Sequence, residues 1–276
     1  MNEINQKINQ MNEMIKIEGL TKNFDGFLAL NDLNLNVNKG SIYGLVGVNG
    51  SGKTTVIKHL MGVYRGDEGS VLVDGEEVYD NEKVKAKMAY VSDDLYFFPQ
   101  YNLHLLGKFY SKMYAGWSLD RFFELLKLLG LDMKRKVSRF SKGMQKQAAL
   151  ALALSTRPEV LILDEPIDGL DPIVRKRIFQ WIIEDVADRQ MTVLISSHNL
   201  KEMDGICDTV GIIKGGEMLI ERDLDELKAE MSNNPEFEHQ PPSLDEIFIY
   251  VYESHETGGQ FEQGNPKNPE SEEAMA

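Results

Sequence analysis

Residues 41–61, SIYGLVGVNGSGKTTVIKHLM, decide the fold of this chain. The apolar run SIYGLV predicts a buried strand, a glycine-rich turn starts at Gly47, and a helix is expected from about Lys53 to Met61. A strand, a glycine loop and a helix in this order are typical of α/β domains with a mostly parallel sheet.

The loop between that strand and that helix, residues 47–54, matches the pattern G-x-x-x-x-G-K-[ST] without a mismatch. Glycines let the backbone turn so that several N–H groups face a polyphosphate, and the helix points its positive end at the same anion. Lys53 adds positive charge near the β- and γ-phosphates, and the Thr54 hydroxyl is placed to bind Mg²⁺. A chance glycine-rich turn would need neither the strand before it nor the helix after it, so we predict a nucleotide site. The predicted binding residues are Gly47, Asn49, Gly50, Ser51, Gly52, Lys53, Thr54 and Thr55.

A second apolar stretch, VLIL at residues 160–163, ends in two acids, Asp164 and Glu165. In open α/β sheets the carboxyl ends of the strands face the ligand, so both carboxylates are expected beside the phosphate loop. Asp164 suits the metal side of the site, and Glu165 suits a general base or a group that polarises the attacking water. Strands often end in acids at turns, but the complete loop makes this pair a strong signal.

The rest of the chain adds to this α/β core. Alternation of apolar and polar residues at 14–38 predicts antiparallel strands, and helical periodicity runs through the middle of the chain. Residues 243–252 can close the fold as a short helix or a strand. The predicted division is 14–92 and 154–222 for the P-loop NTPase core with its antiparallel β subdomain, 93–153 for an inserted helical subdomain, 223–253 for a C-terminal extension, and 254–276 for an acidic tail expected to be disordered.

Composition excludes several classes of protein. Contents of 42% hydrophobic and 27% charged residues suit a globular protein, and no run approaches the roughly 20 apolar residues of a membrane helix. Residues 222–276 hold 14 of the 44 acidic side chains but only 3 of the 30 basic ones, and the remainder shows no basic stripe, which argues against a nucleic-acid partner. The single cysteine, Cys207, excludes an internal disulfide and favours a core residue in a reducing cytosol.

Five further elements occur in a fixed order around the loop and the two acids. They are Phe24 about twenty residues before the loop, Tyr90–Asp94, the FSKGMQ stretch Phe140–Gln145, Gly169–Asp171, and His198 after the strand TVLIS. Together they resemble the adenine-stacking aromatic, Q-loop, signature motif, D-loop and switch histidine of an ABC transporter ATP-binding subunit. The resemblance covers roughly residues 15–222, with a weaker match in SLDEIF, and the ordered set is far more specific than any one member.

This resemblance implies a head-to-tail dimer that holds two ATP molecules, with Mg²⁺, at its interface. In each site Lys53 and Glu165 would come from one subunit, and Ser141 and Gly143 from the other. A signature serine followed by a helix offers a hydroxyl, N–H groups and a helix dipole to an anion, which suits that role. Nucleotide would then hold the two subunits together until hydrolysis removes the bridging charge.

Three of these residues have structural alternatives. His198 after a strand could be a surface or capping residue, but its place about thirty residues after Glu165 favours contact with the γ-phosphate. Phe24 could be a core residue instead of a platform for adenine. Asp171 could begin a turn before Pro172 instead of serving the D-loop.

The chain departs from the family pattern at two motifs. Lys142 and Met144 replace a glycine and the glutamine of L-S-G-G-Q, and the resulting S-K-G-M resembles the branch paired with ABC-2 type exporters. The Q-loop position holds Asp93, for which we expect a metal-side and coupling role through a hard oxygen ligand. The aromatic stretch at residues 95–101, LYFFPQY, suits either core packing or a socket for a partner's cytoplasmic helix.

The resemblance implies the ATPase subunit of an exporter, bound to the inner face of the cell membrane by a separate integral-membrane subunit, as a homodimer or as a heterodimer with a related subunit. A soluble nucleotide-gated clamp without a transport role is the main alternative. A P-loop kinase or G protein would leave the signature motif and His198 without a purpose.

Overall fold

A computed structural model describes residues 12–232, 234, 237 and 241–256 of the chain. Ten strands lie within those residues: β1 (Glu13–Phe24), β2 (Phe27–Asn38), β3 (Ile42–Val46), β4 (Glu68–Val73), β5 (Glu76–Glu77), β6 (Met88–Val91), β7 (Val160–Asp164), β8 (Thr192–Ser197), β9 (Thr209–Lys214) and β10 (Glu217–Asp223).

The helices of the same residues, in chain order, are α1 (Lys53–Leu60), α2 (Glu82–Ala86), α3 (Leu103–Met113), α4 (Leu119–Leu129), α5 (Lys142–Ser155), α6 (Pro172–Arg189), α7 (Leu200–Met203), α8 (Leu224–Met231) and α9 (Leu244–Glu256), with a 3₁₀ turn at Val137–Arg139. None of these helices combines the length and the apolar character that a bilayer crossing requires.

Two sheets organise the molecule. The larger has the order β10-β9-β3-β8-β7-β6 and is parallel except for the β9–β10 pair, while the smaller, β2-β1-β4-β5, is antiparallel. The predicted class, a mostly parallel α/β core with an antiparallel β subdomain and inserted helices, is therefore confirmed. The carboxyl ends of β3, β7 and β8 share one edge, which brings the phosphate loop, the two acids and His198 together.

The central strand β7 explains the continuous apolar run VLIL. Its side chains alternate between two apolar clusters: Leu161 and Leu163 pack towards the helical insert, whereas Val160 and Ile162 pack towards α1 and the antiparallel sheet. A strand that is covered on both faces has no polar side, so its sequence does not alternate.

Side-chain caps set the starts of the helices in the insert. Asn102, Ser118 and Ser141 each accept a hydrogen bond from the N–H three residues ahead, at the starts of α3, α4 and α5. Such caps satisfy a backbone donor that has no partner inside the helix. The segment LALALS in α5 is buried, and its alternating alanines allow close packing against α4 and β6.

The C-terminal segment forms a helix, not a strand. Leu244, Ile247 and Val251 are its buried residues, and their spacing suits one helical face. Because α9 continues to Glu256, the prediction of disorder from residue 254 is wrong for 254–256, and the remainder of the predicted tail lies outside the described residues. Cys207 packs in the larger apolar cluster as predicted, and burial raises the pKa of its thiol well above the usual value.

Candidate active site

The phosphate loop joins β3 to α1 and uses its glycines where a side chain could not fit. A Cβ on Gly47 would lie 2.5 Å from the carbonyl oxygen of Ile213, and Gly52 has a φ of +115° where α1 begins. The Lys53 ammonium folds back over the loop and donates to the carbonyl oxygens of Gly47 at 2.7 Å and Val48 at 3.3 Å. Burial lowers the pKa of Lys53, against the opposing effect of Glu165 and then Asp164. A phosphate can replace these carbonyls as its partner.

Asp164 is buried at the end of β7 and meets the loop. Its Oδ2 lies 3.4 Å from the Thr54 hydroxyl, and its Oδ1 accepts a 2.5 Å hydrogen bond from Ser196 on β8. One hydroxyl and one carboxylate oxygen side by side fit Mg²⁺, which takes few protein oxygens and completes its shell with phosphates and water. Ser196 holds the Asp164 carboxylate in place.

Glu165 and His198 form a pair, although 33 residues separate them. The Glu165 Oε2 lies 3.0 Å from Nδ1 of His198 and accepts a 3.3 Å hydrogen bond from its backbone N–H. The hydrogen bond between the Glu165 carboxylate and the His198 ring, and then the charge of Glu165, raises the pKa of His198. Asp168, which the sequence did not single out, lies 3.9 Å from the other ring nitrogen. The arrangement places a carboxylate and an imidazole that favours its protonated form at the same edge of the sheet.

Glu165 also has an unusual backbone. Its φ of +47° is in the left-handed region, which costs a residue with a side chain roughly 1–3 kcal/mol unless its surroundings hold it there. Its N–H donates to the carbonyl oxygen of Ser196 at 3.1 Å, and its own carbonyl oxygen accepts a 2.5 Å bond from the ammonium of Lys146.

Asp93 pairs with the same lysine. Its Oδ1 lies 3.2 Å from the Lys146 ammonium, so the negative charge at the Q-loop position is balanced by a positive charge on α5. Sequence reasoning missed Lys146, although the sequence contains a signal for it. Lys146 is four residues before Leu150 and therefore lies on the buried side of α5, where a lysine needs a partner.

The signature residues lie at the start of α5. Ser141 is exposed, and its hydroxyl accepts from the N–H of Met144 at 3.3 Å. A Cβ on Gly143 would lie 2.9 Å from the carbonyl oxygen of Gly169, so the signature turn packs directly on the D-loop segment. Among the described residues, no hydrogen bond or ion pair joins Ser141 to the loop at 47–54.

Asp171 lies at the start of α6 and caps this helix by accepting from the N–H of Ile173 at 2.9 Å. The turn-forming role is therefore present, and the D-loop role of Asp171 stays a prediction.

Phe24 is half-buried and belongs to neither apolar cluster. Its ring makes an edge contact with Tyr64 at 5.1 Å, and the Lys22 ammonium lies 5.4 Å from it. Phe24 is therefore accessible for stacking, and its contact with adenine stays a prediction.

The C-terminal helix reaches the phosphate loop, a contact that the sequence did not predict. The Tyr252 hydroxyl donates to the carbonyl oxygen of Ile213 at 2.7 Å and accepts from the N–H of Val48 at 3.2 Å. The Lys214 ammonium also binds the end of α9, donating to the Tyr252 carbonyl oxygen at 3.2 Å and to the Glu256 carboxylate at 2.9 Å. Helix α9 thus supports one side of the loop.

Comparison with known proteins finds relatives that share one family description. The family profile described as ABC transporter matches residues 30–168. The chain is 34% identical to the ABC transporter ATP-binding protein YtrB of Bacillus subtilis, over 79% of this chain and 74% of the relative. It is also 34% identical to the Bacitracin transport ATP-binding protein BcrA of Bacillus licheniformis, over 90% and 84% respectively. Among solved structures, the dimeric bacterial ABC transporter cassette MJ0796 matches with a TM-score of 0.70 at 25% identity, covering 76% of this chain and 99% of that chain.

Proposed function

The chain belongs to the ABC transporter family of ATP-binding ATPases, and we propose that it powers an exporter by closing as a dimer around ATP beneath a separate membrane-spanning subunit. The observation that carries the proposal is the division of the site. Lys53, Thr54, Asp164 and Glu165 meet at one sheet edge, while Ser141, the remaining predicted phosphate-binding element, makes no bond to that loop within the part of the chain that the structure describes. A second copy, or a related subunit, would supply the missing signature motif.

The residues of this edge suit hydrolysis of the γ-phosphate. Lys53 and the loop N–H groups hold the phosphates, and Mg²⁺ bound by Thr54 and Asp164 would offset their charge. Glu165 then orients the attacking water or takes its proton. His198, whose pKa is raised by its hydrogen bond to Glu165 and then by the charge of that carboxylate, would donate a hydrogen bond to a phosphate oxygen as charge develops there.

Two observations support a membrane partner and export. Tyr96 is 79% exposed, and with Phe98 and Phe109 it forms an aromatic patch beside Asp93 and Asp94, where the partner's cytoplasmic helix would dock. The direction of transport follows the S-K-G-M signature and relatives such as BcrA, which is named for bacitracin transport. Through this contact the protein would lie on the inner face of the membrane.

The test of the dimer and of the base is Glu165→Gln. This variant keeps the side-chain volume but cannot take a proton, so it should bind Mg²⁺-ATP, lose turnover by at least about a hundredfold and persist as a dimer in size-exclusion chromatography with light scattering. Glu82→Gln, an exposed residue at the start of α2, is the matched control and should hydrolyse ATP at the parental rate.

Two outcomes would refute the proposal. Parental turnover in Glu165→Gln would remove Glu165 as the base. The shared site would be refuted if the Glu165→Gln chain stays monomeric with Mg²⁺-ATP, even when related subunits from the same cell are added. Copurification with a polytopic membrane protein separates the transporter subunit from the soluble clamp, which should be found entirely in the soluble fraction.

A further inference from the structure

Lys146 is a buried cation that the mechanism above does not use. It lies five residues after Ser141 on α5, and its side chain is only 7% exposed. A lysine ammonium is costly to bury unless it is paired and hydrogen-bonded. It has two partners, the Asp93 carboxylate at 3.2 Å and the Glu165 carbonyl oxygen at 2.5 Å. One side chain therefore joins α5, the Q-loop position and the end of β7.

The bond to Glu165 falls where the backbone needs support. With a φ of +47°, this residue adopts a left-handed conformation that its side chain disfavours. Ser196 accepts from its N–H and Lys146 donates to its C=O, so both backbone groups of the residue are fixed. With the backbone held in this way, the carboxylate lies 3.0 Å from Nδ1 of His198. A change at Lys146 would shift the carboxylate without touching the phosphate loop.

We propose that Lys146 is a positioning residue for hydrolysis, which holds the Glu165 backbone in its left-handed conformation, and that Asp93 acts through Lys146 instead of through the metal. The proposal rests on the role of Glu165 in the function proposed above. Asp93 is 60% exposed and immediately precedes the segment that leads to Tyr96, where the membrane subunit would dock. The Asp93–Lys146 pair would thus transmit movement of that partner to Glu165.

The first experiment separates positioning from nucleotide binding. Lys146→Met keeps the apolar stem and removes the ammonium, so kcat should fall at least about tenfold while the Kd for Mg²⁺-ATP stays within about twofold. Lys85→Met is the matched control. Lys85 is on α2, and its ammonium also donates to a backbone carbonyl, that of Gly62 at 3.4 Å. Neither residue is near Glu165 in the sequence. It should behave as the parent. Lys146→Arg retains the charge and the donors and should recover most of the turnover.

The second experiment asks whether Asp93 works through Lys146. Asp93→Asn should lower kcat by about threefold, since a weaker anchor leaves the ammonium less well placed. If the two act in one chain of contacts, adding Asp93→Asn to Lys146→Met should change kcat by less than about twofold. A metal-side Asp93 gives the opposite pattern: the two losses multiply, and the Mg²⁺ concentration for half-maximal turnover rises in Asp93→Asn.

Each outcome decides between the two proposals. If Glu165→Gln is inactive and Lys146→Met turns over at the parental rate, the positioning role is wrong and the function stands. If Glu165→Gln itself turns over at the parental rate, the role of Glu165 in the function proposed above is wrong, and the positioning role of Lys146 is wrong with it. Should Lys146→Met fail to fold, judged by its thermal unfolding, Asp93→Asn alone still tests the inference, because a shift in its Mg²⁺ dependence overturns it and a lower kcat with unchanged Mg²⁺ dependence supports it.

Discussion

Replacement of Tyr252 by phenylalanine should weaken ATP binding from a position outside the phosphate-binding residues. The hydroxyl on α9 bridges the Ile213 carbonyl at 2.7 Å and the N–H of Val48, the second residue of the loop, at 3.2 Å. Burial raises the pKa of Tyr252, so the hydroxyl keeps the proton that it donates. Phenylalanine retains the ring, which packs at 4.4 Å on Phe248 and lies 4.8 Å from the Lys214 ammonium.

The size of the effect follows from the two bonds that are lost. Val48 is 48% exposed, so water can replace the hydroxyl as the acceptor for its N–H. The Ile213 carbonyl loses its donor in a packed position, and an unsatisfied buried acceptor costs about 1–3 kcal/mol. If about half of that cost falls on the loop conformation that binds nucleotide, the Kd for Mg²⁺-ATP should rise about two- to twelvefold.

Equilibrium titration of the full chain with a fluorescent ATP analogue measures this change. Tyr250→Phe is the matched control, because Tyr250 is on the same helix but its ring contacts Phe237. We expect parental affinity in that control. A Tyr252→Phe chain with parental nucleotide affinity and a lower thermal midpoint would show that α9 only stabilises the fold, and the reasoning would be refuted.

Substitutions at three other positions test separate parts of the site and fold. Ser196→Ala removes a 2.5 Å donor to the buried carboxylate of Asp164 and should cost about 1.5–3 kcal/mol of unfolding free energy, which excess Mg²⁺-ATP should partly restore in thermal unfolding. Burial raises the pKa of Glu221, a residue of β10. The stability that its protonated form contributes is fully present below the unfolded pKa near 4.5 and is lost as the pH rises through the folded pKa. Glu221→Gln should therefore flatten the decline of unfolding free energy with pH, measured by urea denaturation. Phe24→Ala should raise the KM for ATP about tenfold if the ring stacks on the base, whereas Phe24→Trp should retain the parental KM.

Local patterns explain why the core of the site could be predicted. The loop at 47–54 is a contiguous motif whose glycines serve the backbone, and the run at 160–163 reports burial on both faces of β7. Asp164 and Glu165 then follow from the geometry of a parallel sheet, which brings strand ends together. These inferences needed only short-range sequence and the rules of sheet topology.

Contacts between distant parts of the chain could not be predicted in the same way. Lys146 and Asp93 are 53 residues apart, and each alone is an ordinary charged residue at a motif boundary. Tyr252 lies 204 residues from Val48, in a segment whose mixture of aromatic and branched side chains suits a strand as well as a helix. Tertiary packing of Leu244 and Ile247 decides for the helix, which turns Tyr252 towards the loop. Pairs of this kind become visible only in the folded chain.

The position of Lys146 on α5 has a consequence for the dimer that can be tested by complementation. Ser141 at the start of α5 would serve the nucleotide held by the other subunit, whereas Lys146, in the same helix, supports Glu165 of its own chain. One isolated heterodimer carries Ser141→Ala and Lys146→Met on the same chain, and its other chain is unchanged. Each substitution then damages a different one of the two ATP sites, so turnover should be low. With the two changes on separate chains both fall on the same site, so the other site stays intact and about half of the parental turnover should remain. Equal turnover in the two arrangements would mean that Lys146 does not act on the Glu165 of its own chain.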